Sequence, residues 1–99
     1  MNDFAAFVER DARLILLRAL AAETSRTHNE VLLQAALEAH GVTRSRNYVR
    51  TQLRALEELG AVTLREAGTV MIASLTRAGL DHVEGRGIVE GVNRPSPGA

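Results

Sequence analysis

The sequence predicts one α+β domain, mostly helical, made of three helices, a β-hairpin and a short C-terminal helix. Three observations carry this expectation. Apolar residues recur at helical spacing from Phe4 to Leu59, the period changes to alternation between Ala61 and Leu75, and Thr76 opens a last helical segment ahead of a Gly/Pro-rich tail. With 99 residues, 45% of them apolar, there is material for one modest core and too little for two. The expected division is a folded domain over 1–85 and a tail or arm over 86–99.

The first helix is expected from Asp3 to about Ala22. Phe4, Phe7, Val8, Leu14, Ile15, Leu17 and Leu20 form its apolar side, with Glu9, Arg10, Arg13 and Arg18 largely opposite. The polar stretch Glu23 to Arg26 interrupts it. Thr27 followed by Glu30 matches a capping box, in which two side chains satisfy each other's exposed backbone donors, so a second helix is expected from about His28 to Ala39. It should end at His40-Gly41, because glycine takes the left-handed conformation that closes a helix at little cost.

A third helix is expected over 45–59, with Ser45 as N-cap and Val49, Leu53, Leu56 and Leu59 as its buried stripe. At about 100° per residue, Arg46, Asn47, Arg50, Thr51 and Arg54 share an outward arc of roughly 140° that excludes Val49, Leu53 and Leu56. The segments Ala61 to Glu66 and Thr69 to Leu75, joined by Ala67-Gly68, read as a hairpin. Thr76 then caps a helix from Arg77 to about Glu84 with Leu80 and Val83 inward. The tail GRGIVEGVNRPSPGA cannot continue a helix; Ile88, Val89 and Val92 suit an arm lying on its own domain or on a second subunit, and composition alone suits a flexible terminus.

Charge is distributed unevenly. The formal net charge is zero, which argues against coating of nucleic acid through general basicity. Yet no acidic residue lies between Glu38 and Glu57, whereas Arg44, Arg46, Arg50 and Arg54 fall there, and such local asymmetry is the electrostatic footprint of a nucleic-acid contact. All 12 basic residues are Arg, which suits bidentate contacts to phosphate and guanine but follows equally from a GC-rich coding bias. A solvated helix face is the plain alternative, with Arg54 paired to Glu57 or Glu58. It leaves Arg44, Arg46 and Arg50 without an acid within four residues along the helix.

Chemistry is excluded more readily than binding. The absence of Cys removes disulfides, thiolate catalysis, Cys-based zinc sites and iron–sulfur clusters. His28, His40 and His82 have no companions at metal-ligand spacing, and Gly85 and Gly87 follow a helix where a dinucleotide fingerprint would open one. No nucleophile, base or phosphate loop accompanies Thr24, Ser25 or Thr43. The expectation is therefore a protein without catalytic residues, metal or cofactor. The start MNDFAAFVERD has acids where a secretory signal has basic residues, and no apolar run approaches the ~18 residues of a membrane span, so a cytoplasmic protein is expected.

The order of elements, the string VRTQLRALEELGAV (Val49 to Val62) and the string SLTRAGL (Ser74 to Leu80) resemble winged helix-turn-helix regulators of the MarR, ArsR and PadR type over about residues 10–84. The segments DARLILLRAL, GTVMIASLTRAGLD and GVNRP further resemble a family of small proteins of Mu-like phages and prophages. These resemblances imply a DNA-binding, regulatory phage protein whose third helix enters the major groove. They place base-edge contacts on Ser45, Arg46, Asn47, Arg50 and Thr51, and backbone contacts on Arg44 and Arg54. The chemistry is suitable, since Arg holds guanine and Asn holds adenine bidentately. The hairpin tip, Arg65-Glu66-Ala67-Gly68-Thr69, departs from the usual basic wing and leaves Arg65 as its phosphate contact. A homodimer is expected, with Phe4, Phe7 and Val8 as surplus apolar surface and two half-sites on double-stranded DNA. The competing expectation is an interaction module in phage assembly or DNA packaging, with the arginines facing an acidic phage or host protein.

Overall fold

The computed structural model describes residues 3–95 and places seven elements in the order α1 (Asp3–Ala22), β1 (Thr27–Asn29), α2 (Glu30–Ala39), α3 (Arg46–Glu58), β2 (Val62–Ala67), β3 (Val70–Leu75) and α4 (Arg77–Val83). Over the described residues the protein is an α+β domain of four helices and a three-stranded antiparallel sheet of order β1-β3-β2. The last four residues of the expected tail, 96–99, and the first two of the chain lie outside the described residues.

Helix α1 runs through the middle of the core. Ala12, Leu14, Ile15, Leu16, Leu17 and Leu20 are buried, and the helix touches α2, α3, α4 and β3. Its first two turns project beyond this core, leaving Phe4 73% and Phe7 51% exposed while Val8 is half-buried. Leu33 and Leu37 of α2, Val49, Leu53 and Leu56 of α3, and Val62, Met71 and Ala73 of the sheet close around the inner half of α1.

The second helix begins two residues later than the capping-box reading expects. Thr27 and His28 belong to β1, paired with Ser74 and Ala73 of β3, and Asn29 is the N-cap, its side chain accepting the Leu32 N–H at 2.9 Å. The Thr27 hydroxyl bonds the Ser74 hydroxyl across the ladder instead of capping a helix. Cross-strand pairing, absent from a local reading, takes precedence here. At the other end Gly41 has φ of 81°, closing α2 as expected, and the His40 ring bonds the Ala36 carbonyl.

Ser45 caps α3 through the Tyr48 N–H, and Thr76 caps α4 through the Gly79 N–H. Leu59, expected in the buried stripe of α3, is its C-cap and 39% exposed, while Gln52 is 1% exposed and takes a place in that stripe. The hairpin closes on the pair Ala67 and Val70, so its turn is Gly68-Thr69, one residue beyond the expected Ala67-Gly68. In α4 the fully inward positions are Gly79 and His82, whereas Leu80 and Val83 are half-buried. A Cβ on Gly79 would collide with the Ala61 carbonyl oxygen, so glycine lets α4 lie directly on the entry to β2.

Residues 86–95 fold back over their own domain. Val89 and Val92 are buried, the Val89 N–H donates to Nδ1 of His82 at 2.9 Å, and Nε2 of the same ring donates to the Asn93 carbonyl at 2.8 Å. Asn93 in turn reaches α1: its N–H donates to the Arg10 carbonyl and its side-chain amide donates to Asp11.

Candidate nucleic-acid interface

The turn between α2 and α3 is held by side-chain contacts. Gln34 of α2 donates to the Arg44 carbonyl at 2.9 Å, Arg44 donates to the Thr43 carbonyl, and its guanidinium lies 5.6 Å from the centre of the Tyr48 ring. Ser45, as N-cap, then fixes where α3 starts, and the helical period turns Ser45, Arg46, Asn47, Thr51 and Arg54 outward, all exposed. The Thr51 hydroxyl donates to the Asn47 carbonyl one turn back.

The four clustered arginines are not equivalent. Arg44 and Arg54 have no carboxylate at ion-pair distance among the described residues, nor does Arg65 on β2; the expected alternative pairing of Arg54 with Glu57 or Glu58 is not formed. Glu57 instead accepts the Leu64 N–H, tying the end of α3 to β2. Arg54 and Arg65 line one cleft of 270 Å³ between α3 and the hairpin, together with Glu57, Leu64, Glu66 and Met71.

Arg46 and Arg50 share an acid that sequence spacing does not reveal. Glu30, the first residue of α2, has a fully buried side chain; its Oε1 lies 3.9 Å from Arg46 Nη1 and its Oε2 lies 3.4 Å from Arg50 Nη1. Thus the absence of acids near these arginines along the helix does not mean an absence in space. Arg50 is also 3.9 Å from Glu66 on β2 and donates to the Thr69 carbonyl in the hairpin turn at 3.4 Å. With its side chain 24% exposed against 49% for Arg46, Arg50 is the least available member of the cluster.

Two buried polar residues beside α3's outward row escape the sequence reading in that role, Glu30, which reads there as part of a capping box, and Gln52, although both carry a signal. Glu30 precedes Leu33 and Leu37 by three and seven residues, which places it on the buried stripe of α2, and Gln52 lies beside Val49, Leu53 and Leu56 on that of α3. Burial raises the pKa of the Tyr48 phenol above its ordinary value, helped by Glu9 and opposed by Arg44 and Arg13. Among the described residues, no helix is long and apolar enough to cross a membrane.

Fold and site define a small α+β domain whose third helix carries an outward row of arginines beside a β-hairpin. The chain belongs to the family of the uncharacterized protein gp26 of Escherichia phage Mu, to which it is 40% identical over 89 residues, 90% of this chain and 92% of that protein. An uncharacterized protein of Haemophilus influenzae is 37% identical over 75 residues, 75% of this chain and 72% of its own length. No family model matches the chain, and no solved structure matches it.

Proposed function

We propose that this phage-family protein is a non-enzymatic, sequence-preferring DNA-binding regulator with a winged helix-turn-helix layout. In this reading α2, the turn and α3 form the helix-turn-helix, α3 enters the major groove, and the β2–β3 hairpin is the wing. The observation that carries it is the set of exposed arginines on and beside α3, Arg44, Arg46, Arg54 and Arg65, three of which have no carboxylate at ion-pair distance among the described residues of a chain with zero net charge. Arg46 and Asn47 stand exposed in the first turn of α3, where both have the donors to read base edges. A second copy covering the exposed Phe4 and Phe7 would give two half-sites.

The interaction-module reading is favoured by one observation. Arg50 is occupied by Glu30, Glu66 and the Thr69 carbonyl, and Glu66 places negative charge on the hairpin itself. Selection from a random duplex pool at near-physiological salt, wild type beside R46A/R54A, decides between them. Under the DNA reading the wild type alone recovers a motif, two-fold if the protein is a dimer. Its log affinity also falls against log salt with a slope of roughly −3 per protomer for phosphate contacts by Arg44, Arg54 and Arg65. A slope shallower than about −1, or no enrichment from a folded sample, moves the assignment to a protein partner.

A further inference from the structure

One buried charge lies directly behind the arginine row. β1 ends at Asn29, which is paired with Ile72, and the next residue enters α2. In an antiparallel ladder alternate residues point their N–H groups to the same neighbour. Leu75 donates to Arg26 on the β1 side, so Met71, four residues earlier, directs its N–H to that side at a level where β1 has already ended. Oε2 of Glu30 takes this N–H, so the carboxylate extends the sheet by one acceptor. The same oxygen faces Arg50 at 3.4 Å, and Oε1, buried and without a hydrogen bond, faces Arg46 at 3.9 Å.

A buried carboxylate needs partners to offset its lost hydration, and one fixed in this way imposes direction on the guanidiniums it meets. If the sole task were to satisfy Met71, a neutral acceptor would serve. A carboxylate with one oxygen reserved for Arg46 does more: it sets where two successive arginines of α3, one turn apart, can point. Arg50 is drawn inward to Glu30 and across to the hairpin. Arg46 is held from below at a single long contact and keeps its remaining donors toward solvent.

Resting on the DNA reading above, we propose that Glu30 is a positioning residue of the interface. It aims Arg46 at a base edge, and it uses Arg50 to set the hairpin against α3. Glu66, on the solvent side of Arg50, only trims the local positive field. The two acids should therefore act differently although both neighbour the same arginine.

The test compares E30Q and E66Q by selection from the random pool, then by binding to the motif the wild type selects and to a scrambled duplex of equal composition. Removing an acid raises the positive field in both, so affinity for the scrambled duplex should hold or rise. For E30Q, whose amide oxygen can still accept the Met71 N–H, the ratio of motif to scrambled affinity should fall about tenfold, the scale of one bidentate base contact. For E66Q that ratio should stay within about twofold. Equal loss on both duplexes by a folded E30Q, or an unchanged ratio, overturns the proposal while leaving the DNA reading intact. A fallen ratio for E66Q, which is on the surface and independent of E30Q folding, overturns it too by assigning the aim of Arg50 to the hairpin. Failure of the wild type to enrich any motif overturns the DNA reading itself and this inference with it.

Discussion

The two flanks of α3 are each organised around one partly buried arginine, and they solve the same problem differently. On the α1 flank Arg13, with its side chain 17% exposed, donates to Gln52 at 2.8 Å and to the Gly91 carbonyl at 3.1 Å, and lies 3.6 Å from Glu9. Gln52 completes the circuit by donating to Glu9 at 3.2 Å. The acid there, Glu9, is 48% exposed and keeps its access to water. On the hairpin flank the acid is Glu30, fully buried, and one of its oxygens accepts no hydrogen bond. The first arrangement is a closed network that joins α1, α3 and the tail. The second concentrates a buried charge that takes one backbone hydrogen bond, from Met71, and whose cationic partners among the described residues, Arg46 and Arg50, both lie on the face proposed to meet DNA, so stability and recognition are coupled on that flank.

This contrast can be broken most directly by truncating each arginine. R50A leaves the buried Glu30 carboxylate with the Met71 N–H and one cation, Arg46 at 3.9 Å, and loss of its nearer cationic partner should cost about 3 kcal/mol. R13A removes hydrogen bonds to the buried Gln52 amide and the half-buried Gly91 carbonyl, both uncharged, and should cost about 1–2 kcal/mol. Urea denaturation at neutral pH measures both. The double variant R50A/E30Q should recover at least ~1 kcal/mol relative to the sum of the two single changes, because the second substitution removes the stranded charge. A larger loss for R13A than for R50A, or strict additivity of R50A and E30Q, would reverse the assignment of the two flanks.

The tail belongs to the α1 flank, where the Gly91 carbonyl accepts from Arg13. His82 is 1% exposed and holds residues 89–93 at both ring nitrogens, accepting from Val89 and donating to Asn93. H82A strands the Val89 N–H and should cost about 2 kcal/mol, with faster amide exchange at Val89 and Val92. Because Arg13 anchors to Gly91 in the same segment, H82A and R13A should be less than additive, whereas H82A and R50A, on opposite flanks, should add. Additivity of the first pair would show that the tail is not part of the network around Arg13.

What could be read from the sequence follows the range of the interactions involved. The span of α1, the Ser45 and Thr76 caps, the Gly41 stop and the hairpin rest on contacts within a few residues, where periodicity and capping chemistry suffice. β1 escapes a local reading because three residues show no alternation, and Thr27 reads as part of a cap because its partner Ser74 is distant in the chain. The outward arc of Arg46, Asn47, Thr51 and Arg54 was legible for the same local reason. The fate of Arg50 was not, since its acids come from the start of α2 and from β2. The burial of His82 depends on a tail whose Gly- and Pro-rich composition suits a flexible terminus and whose Val89 and Val92 suit an arm on its own domain; local pattern does not choose between them.

The smallest expected effect reads the closed flank through Tyr48, which neighbours Glu9 of α1 and Arg44 of the turn. Burial, then Glu9, raise its pKa, so near and above pH 10 the folded protein holds this proton more tightly than the unfolded chain. The corresponding stability is fully present below the unfolded value and is lost as pH rises through the folded one. Wild type should therefore lose a small increment as pH rises above about 10 that Y48F lacks. Substituting E9Q should shrink that increment, because it removes the second cause of the shift. Substituting E66Q on the other flank should leave it unchanged. Equal responses to E9Q and E66Q would mean that the field at Tyr48 comes from the charge of the whole domain, and the separation of the two flanks would then fail electrostatically even where hydrogen bonding supports it.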